Sequence, residues 1–153
     1  MNEPTLQKTL VIIKPDSVQR RLIGKIITRF EEKGLEILGL KLLLLSQSVA
    51  RETYSAHEGK EFFEKLIEFM TSGPIVALVI RGTNAIEVTR TMLGKTACHL
   101  AAPGTIRGDF GLSNRYNLAH GSDSPESAER EIALFFGTEE LLESTQGNLR
   151  QIY

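Results

Sequence analysis

One cysteine, Cys98, is all that the 153 residues contain. No internal disulfide can form, and no zinc site can be assembled from one thiolate and three scattered histidines. An excess of positive charge is missing too: 18 Lys+Arg stand against 19 Asp+Glu, a formal net charge of −1. A protein that holds nucleic acid through bulk charge is more basic than this, so only a local basic site is left open. No apolar run is long enough to cross a bilayer; the longest, Leu35 to Leu45, is interrupted by Glu36 and Lys41. Met1 to Lys8 has neither a basic n-region nor an apolar h-region, so no signal peptide is expected. These shortages describe a soluble protein of the reducing, cytoplasmic compartment, with no membrane segment and no strong nucleic-acid signal.

What is present suits one packed domain spanning residues 1–153. The hydrophobic fraction, 41%, is enough to build a core. Thr9 to Ile13 is a β-branched run that stops at Lys14-Pro15-Asp16, and Pro15 pushes Lys14 into an extended conformation at the strand's end. Leu22, Ile23, Ile26, Ile27 and Phe30 share one helical face, which Gly34 ends. Leu35 to Leu45 reads as a second strand covered on both sides, and Ile75 to Ile80 as a third, fully buried one. Between them, Val49 to His57 and Phe62 to Met70 have helical spacing, the latter ended by Ser72-Gly73-Pro74. Asn84 to Leu93 is helical again.

Gly94 to Asn114 carries four glycines and Pro103 without sustained periodicity; a loop of about twenty residues in a compact domain is usually functional or disordered. Tyr116 to Ala119 fits a short fourth strand. Ser124-Pro125-Glu126 opens a last helix, with Ser124 as cap and an apolar stripe of Ala128, Ile132, Phe135 and Phe136. The order β-α-β-α-α-β-α-loop-β-α contains the split β-α-β pattern of a ferredoxin-like α+β fold. It predicts a four-stranded, antiparallel sheet with helices on one face.

Gly94-Lys95-Thr96 resembles the end of a phosphate-binding P-loop, but position 89 is Thr rather than Gly and the strand and helix stand in the wrong order. A stronger signal is Asn117-Leu-Ala-His120-Gly121-Ser122-Asp123. His120 stands at a strand exit beside a helix start. Imidazole is a competent nucleophile near neutral pH if one ring nitrogen is free and the other is held. Glu131, on the border of the last helix's apolar stripe, is placed to hold it. Spacing alone also fits a satisfied loop histidine with no such role. Lys14, Arg90, Thr96 and Arg107 supply the cations and donors that a phosphoryl-transfer site requires, whereas each taken singly could be a solvated surface residue.

Together these segments resemble nucleoside diphosphate kinases from about Thr9 to Phe136. They include Lys14-Pro15-Asp16 with Val18-Gln19-Arg20, Phe62-Phe63, Arg90 to Thr96, Pro103 to Phe110, and Asn117 to Asp123 followed by Pro125-Glu126. The resemblance implies γ-phosphate transfer from a nucleoside triphosphate to a nucleoside diphosphate, by a ping-pong route through a phosphohistidine at His120. Glu131 would orient that histidine and Ser122 would hydrogen-bond the glutamate. Lys14 and Tyr54 would lie beside the transferring phosphate, and Arg90, Thr96 and Arg107 would bind phosphates. Phe62 would stack on the base while Lys14 and Asn117 hold the sugar. The resemblance also implies Mg²⁺ carried on the nucleotide, with no protein metal ligands, and a homo-oligomer, hexamer or tetramer.

Departures from the family pattern fall at Glu61, at Ala97-Cys98-His99, at Asn114 (usually an aliphatic residue facing the base), and in the tail from Ser144 to Tyr153. His57, at a helix end near Glu58, reads as a cap or surface residue, with contact to phosphate as the alternative; His99 has no evident partner, and Cys98 reads as structural.

Overall fold

The computed structural model describes residues 3–143; the atypical tail, 144–153, lies outside them. The chain runs through β1 (Leu6–Ile13), α1 (Pro15–Gln19), α2 (Ile23–Glu32), β2 (Glu36–Leu44), α3 (Gln47–Thr53), α4 (Phe63–Met70) and β3 (Pro74–Thr83). It continues through α5 (Ala85–Leu93), α6 (Ile106–Phe110), β4 (Ala119–Gly121) and α7 (Pro125–Phe135). Single-turn 3-10 helices add Ser55–His57, Cys98–Leu100 and Thr138–Glu140.

The sheet order is β2-β3-β1-β4 and every pairing is antiparallel. β1 and β2 therefore run parallel to each other with β3 inserted between them, which is the split β-α-β arrangement read from the sequence. The helices, however, are not confined to one face. Along β1, Leu10 and Ile12 join a core with Ala50 of α3, Phe63, Ile67 and Met70 of α4, and Phe135 of α7. Val11 and Ile13, pointing the other way, join a second core with Ile26 and Phe30 of α2, Leu93 of α5 and Ile106 of α6. Alternate side chains of a strand leave opposite faces, so the unbroken apolar runs of β1 and β3 require cover on both sides.

Three more expectations are corrected. β2 is an edge strand whose outer half alternates, with Leu40, Leu42 and Leu44 54%, 66% and 72% exposed instead of covered. The segment 94–114 is not structureless: Thr105 caps α6 by accepting a hydrogen bond from the Gly108 N–H. A five-residue helix is too short to declare itself by periodicity. Finally, β4 begins at Ala119, so His120 lies within the strand, opposite Ile12 of β1.

The late start of β4 has a local cause. Leu118 has a left-handed φ of 77°, a conformation that costs a leucine about 1–3 kcal/mol. It is held there by three bonds: its N–H donates to Asp16 Oδ2, and its carbonyl accepts from the Lys14 N–H and the Ser17 hydroxyl. The kink ties the entrance of β4 to the end of β1, which brings Asn117 and His120 beside Lys14.

Candidate active site

A cavity of about 740 Å³ opens where the end of β1, the strand β4, and the helices α4, α5 and α7 meet. His120 projects into it from β4. Its neighbour Gly121 faces the opposite side of the sheet, where a Cβ would come within 3.0 Å of Leu93 and 3.4 Å of Thr89. Glycine at this position lets α5 close against β4 and carry Arg90 to the cavity wall, where its guanidinium reaches the Gly121 carbonyl at 3.5 Å.

The ring of His120 is held by a hydrogen bond between Nε2 and Glu131 Oε1. Glu131 is 2% exposed. A buried carboxylate accepts, so Nε2 carries the proton and Nδ1 keeps its lone pair; this tautomer follows from the hydrogen-bond partners. Tyr54 packs edge-on against the same ring, 5.4 Å between centroids and 78° between planes. Its hydroxyl is buried, and that burial raises its pKa, so it stays neutral.

Lys14 is 5% exposed, and its ammonium donates to Asn117 Oδ1 at 2.7 Å. Burial, aided by the charge of Arg107, lowers its pKa from 10.5 to about 8. Arg107, at the start of α6, donates Nε to the Asn117 carbonyl at 3.1 Å, one terminal nitrogen to the Gly94 carbonyl at 2.9 Å, and the other to the Ala119 carbonyl at 2.6 Å. It thus fastens the 94–110 segment to β4 while its remaining N–H groups border the cavity. Burial lowers its pKa as well. Gly94, with φ +83°, closes α5 so tightly that a Cβ there would lie 2.5 Å from Thr105 Oγ1.

Of the ten residues singled out in the sequence, His120, Glu131, Tyr54, Lys14, Asn117, Arg90, Thr96, Arg107 and Phe62 all line this one cavity. Ser122 does not: it is fully buried, and its hydroxyl accepts from the Leu10 N–H at 3.3 Å, pinning β4 to β1. Phe62, half-exposed, lies on the cavity wall. Sequence reasoning gave no role to Leu66, Arg115 or Asp123, which also line the cavity. Leu66 had a signal, since it lies one helical turn beyond Phe62. The carboxylate of Asp123 is kept below the usual carboxylate range, chiefly by a hydrogen bond from the Ser127 side chain. His57 lies on the wall rather than apart from it, its ring 5.4 Å from that of Phe62. His99 lies outside this cavity, and Cys98, within the 94–110 segment, is buried.

An imidazole with one ring nitrogen free, the cations Lys14, Arg90 and Arg107, and a stacking platform in one cleft are what phosphoryl transfer from a nucleotide requires. Comparison with known proteins agrees. The family model for nucleoside diphosphate kinase matches residues 7–141. A nucleoside diphosphate kinase of Roseiflexus sp. is 53% identical over 148 residues, covering 97% of this chain and 99% of that protein. One from Staphylothermus marinus is 56% identical over 137 residues, 90% of this chain and 97% of its own. Among solved structures, a halophilic nucleoside diphosphate kinase from Halobacterium salinarum in complex with CDP superposes with a TM-score of 0.92 at 45% identity, over 97% of this chain and 99% of that one. Fold, site and relatives converge: the chain belongs to the nucleoside diphosphate kinase family, and with it to the phosphotransferase enzymes.

Proposed function

We propose that the chain moves the γ-phosphoryl group of a nucleoside triphosphate to a nucleoside diphosphate through a phosphohistidine at Nδ1 of His120. The observation that carries this reading is the hydrogen bond between Nε2 and buried Glu131, which leaves Nδ1 as the ring nitrogen with a free lone pair. In the first half-reaction that lone pair attacks the γ-phosphorus, the bond to the β–γ bridging oxygen breaks, and the diphosphate departs with the electron pair. In the second, a terminal oxygen of another diphosphate attacks the same phosphorus, the P–N bond breaks, and the imidazole is regenerated.

Around that atom, Arg90, Thr96 and Arg107 bind the phosphates and Lys14 and Tyr54 border the transferring group; their shared place on the cavity wall supports these roles. Lys14 spends one of its three donors on Asn117, and the pair holds the sugar hydroxyls with what remains. Phe62 stacks on the base. Magnesium fits as an ion carried on the nucleotide: among the described residues no three His, Cys, Asp or Glu converge, while Asp123 offers one exposed carboxylate on the wall. Bound there, it neutralises phosphate charge in the transition state. Glu131 keeps the imidazole oriented, and Ser122 supports it indirectly by fixing β4.

We read the chain as one domain, 1–153, acting in the cytoplasm as a homo-oligomer; no helix of the described residues is long and apolar enough to cross a membrane. Self-association is supported by the exposed Leu40, Leu42 and Leu44 on β2, an edge strand of the sheet. The test of the chemistry is to incubate the protein with γ-labelled ATP and Mg²⁺. An acid-labile phosphoprotein should form, be discharged by a nucleoside diphosphate, and be lost in His120→Ala. No label on the wild-type protein contradicts the reading.

A further inference from the structure

A cavity that recognised bases by stacking alone would not tell them apart, because every base has a π-face. The cavity that Phe62 lines offers more than stacking. Arg115 and Asn114 lie on its wall together with Phe62 and Leu66. Both are exposed polar residues, and one stands where the family resemblance leads one to expect an aliphatic side chain.

The turn that carries Arg115 is firmly built. Ser113 Oγ accepts from the N–H groups of both Arg115 and Tyr116, each at 3.1 Å. The Tyr116 ring packs edge-on against Phe69 of α4, with centroids 5.1 Å apart. Asn117 is fastened by Lys14 and Arg107. The turn is therefore clamped to the same helix that Phe62 precedes, while the guanidinium of Arg115 has no hydrogen bond or ion pair among the described residues. The other guanidinium groups on this wall are committed: Arg107 to three carbonyls, Arg90 to Gly121, Arg130 to the Glu52 carbonyl.

We propose that Arg115 reads the edge of the base stacked on Phe62 and makes this enzyme favour 6-oxopurine nucleotides, guanine and hypoxanthine, over adenine. The inference rests on the nucleotide-kinase reading above. A guanidinium is a fork of donors without an acceptor. Guanine and hypoxanthine present two adjacent acceptors, O6 and N7, which the fork matches; adenine presents N7 beside an amino donor, which it does not. Asn114, whose amide offers both a donor and an acceptor, suits either purine and does not discriminate between them. Stacking area is nearly equal among the purines, so the preference isolates the edge contact.

The experiment is calorimetric titration of GDP, IDP, ADP and 7-deaza-GDP into the wild-type protein, Arg115→Ala, Arg115→Lys and, as a control, Lys65→Ala, which removes another cation on the same wall, carried by α4, with Mg²⁺ present. In the wild-type protein GDP and IDP should bind about five- to tenfold tighter than ADP or 7-deaza-GDP, the lower part of the range for a bidentate base contact because this one is open to solvent. Arg115→Ala should bring the four to one affinity. Arg115→Lys, which keeps the charge and loses the fork, should behave in the same way, and Lys65→Ala should retain the wild-type ratio. Equal binding of GDP and ADP by the wild-type protein, a ratio that survives Arg115→Ala, or its loss in Lys65→Ala would overturn the assignment. So would IDP grouping with ADP, which would mean that the 2-amino group is what is read. If all four bind equally the kinase reading stands and only this inference falls; if none binds, both fall.

Discussion

At Lys14 burial and charge pull against each other within one side chain. Burial and the neighbouring Arg107 bring its pKa from 10.5 to about 8, and the ammonium is the form that can serve a phosphate. For the free enzyme kcat/KM should therefore fall as pH rises through about 8, and Lys14→Arg should lack that limb. The stability consequence has the opposite slope. Between about 8 and 10.5 the unfolded chain holds a proton at Lys14 that the folded chain has released, so this group's contribution makes stability rise with pH across that window and leaves it flat below. The difference in slope between wild type and Lys14→Met, followed by urea midpoints, measures it.

Glu131 makes a second residue-scale prediction. Glu131→Gln can still accept the Nε2–H but cannot balance charge on the ring. It should lower kcat about ten- to hundredfold, the range found when partners that orient a histidine are lost, with little change in KM. Legibility at this scale was high where residues form a contiguous motif, as from Asn117 to Ser122. It was low for Arg115 and Leu66, whose place on the cavity depends on how a turn packs against α4. Ser122 shows the converse: the motif suggested a bond to Glu131, but β4 pairing with β1 turns its hydroxyl to Leu10.

Among the elements, the segment between α5 and β4 carries the most consequence. Read along the chain it has no period, because its order comes from Arg107 and not from a repeating apolar face. That side chain ends three backbone carbonyls from three separate places, Gly94, Asn117 and Ala119. Lysine cannot reproduce the fork, and the carbonyls it abandons are shielded from water. Arg107→Lys should cost about 1–3 kcal/mol of stability by chemical denaturation, and should raise KM for nucleotides as the segment loosens. The strand pattern, by contrast, was legible for the apolar middle of β1 and β3, while Leu6 to Lys8 and Arg81 to Thr83, where polar residues enter, were not read as strand. Their continuous apolar runs also contained the information that both faces are covered; that signal was outweighed by the ferredoxin-like order, which suggested helices on one face.

For the whole molecule, near-zero net charge and a phosphate site are compatible because Lys14, Arg90 and Arg107 are gathered at one cavity while other cations, Lys8, Lys41 and Arg51 among them, meet acids elsewhere. Arg81 with Glu36 at 2.5 Å and Arg29 with Asp109 at 2.5 Å are examples. Size does not explain the leucine row on β2, which is exposed among the described residues on a strand at the edge of the sheet. Leu42→Lys places a charge in that row and should lower the mass in light scattering relative to wild type, since lysine on an edge strand opposes strand pairing. An unchanged mass would separate self-association from this edge. Assembly was the least legible property, because an edge strand and a buried one can share the same apolar residues.

The central claim concerns a single atom, Nδ1 of His120. Phosphorus NMR of the protein after reaction with ATP and Mg²⁺, kept under alkaline conditions, reads which ring nitrogen holds the phosphoryl group. One phosphohistidine resonance, assigned to Nδ1, is expected, and it should disappear on addition of a nucleoside diphosphate. A phosphoryl group on Nε2, or one that a diphosphate does not discharge, would contradict the claim.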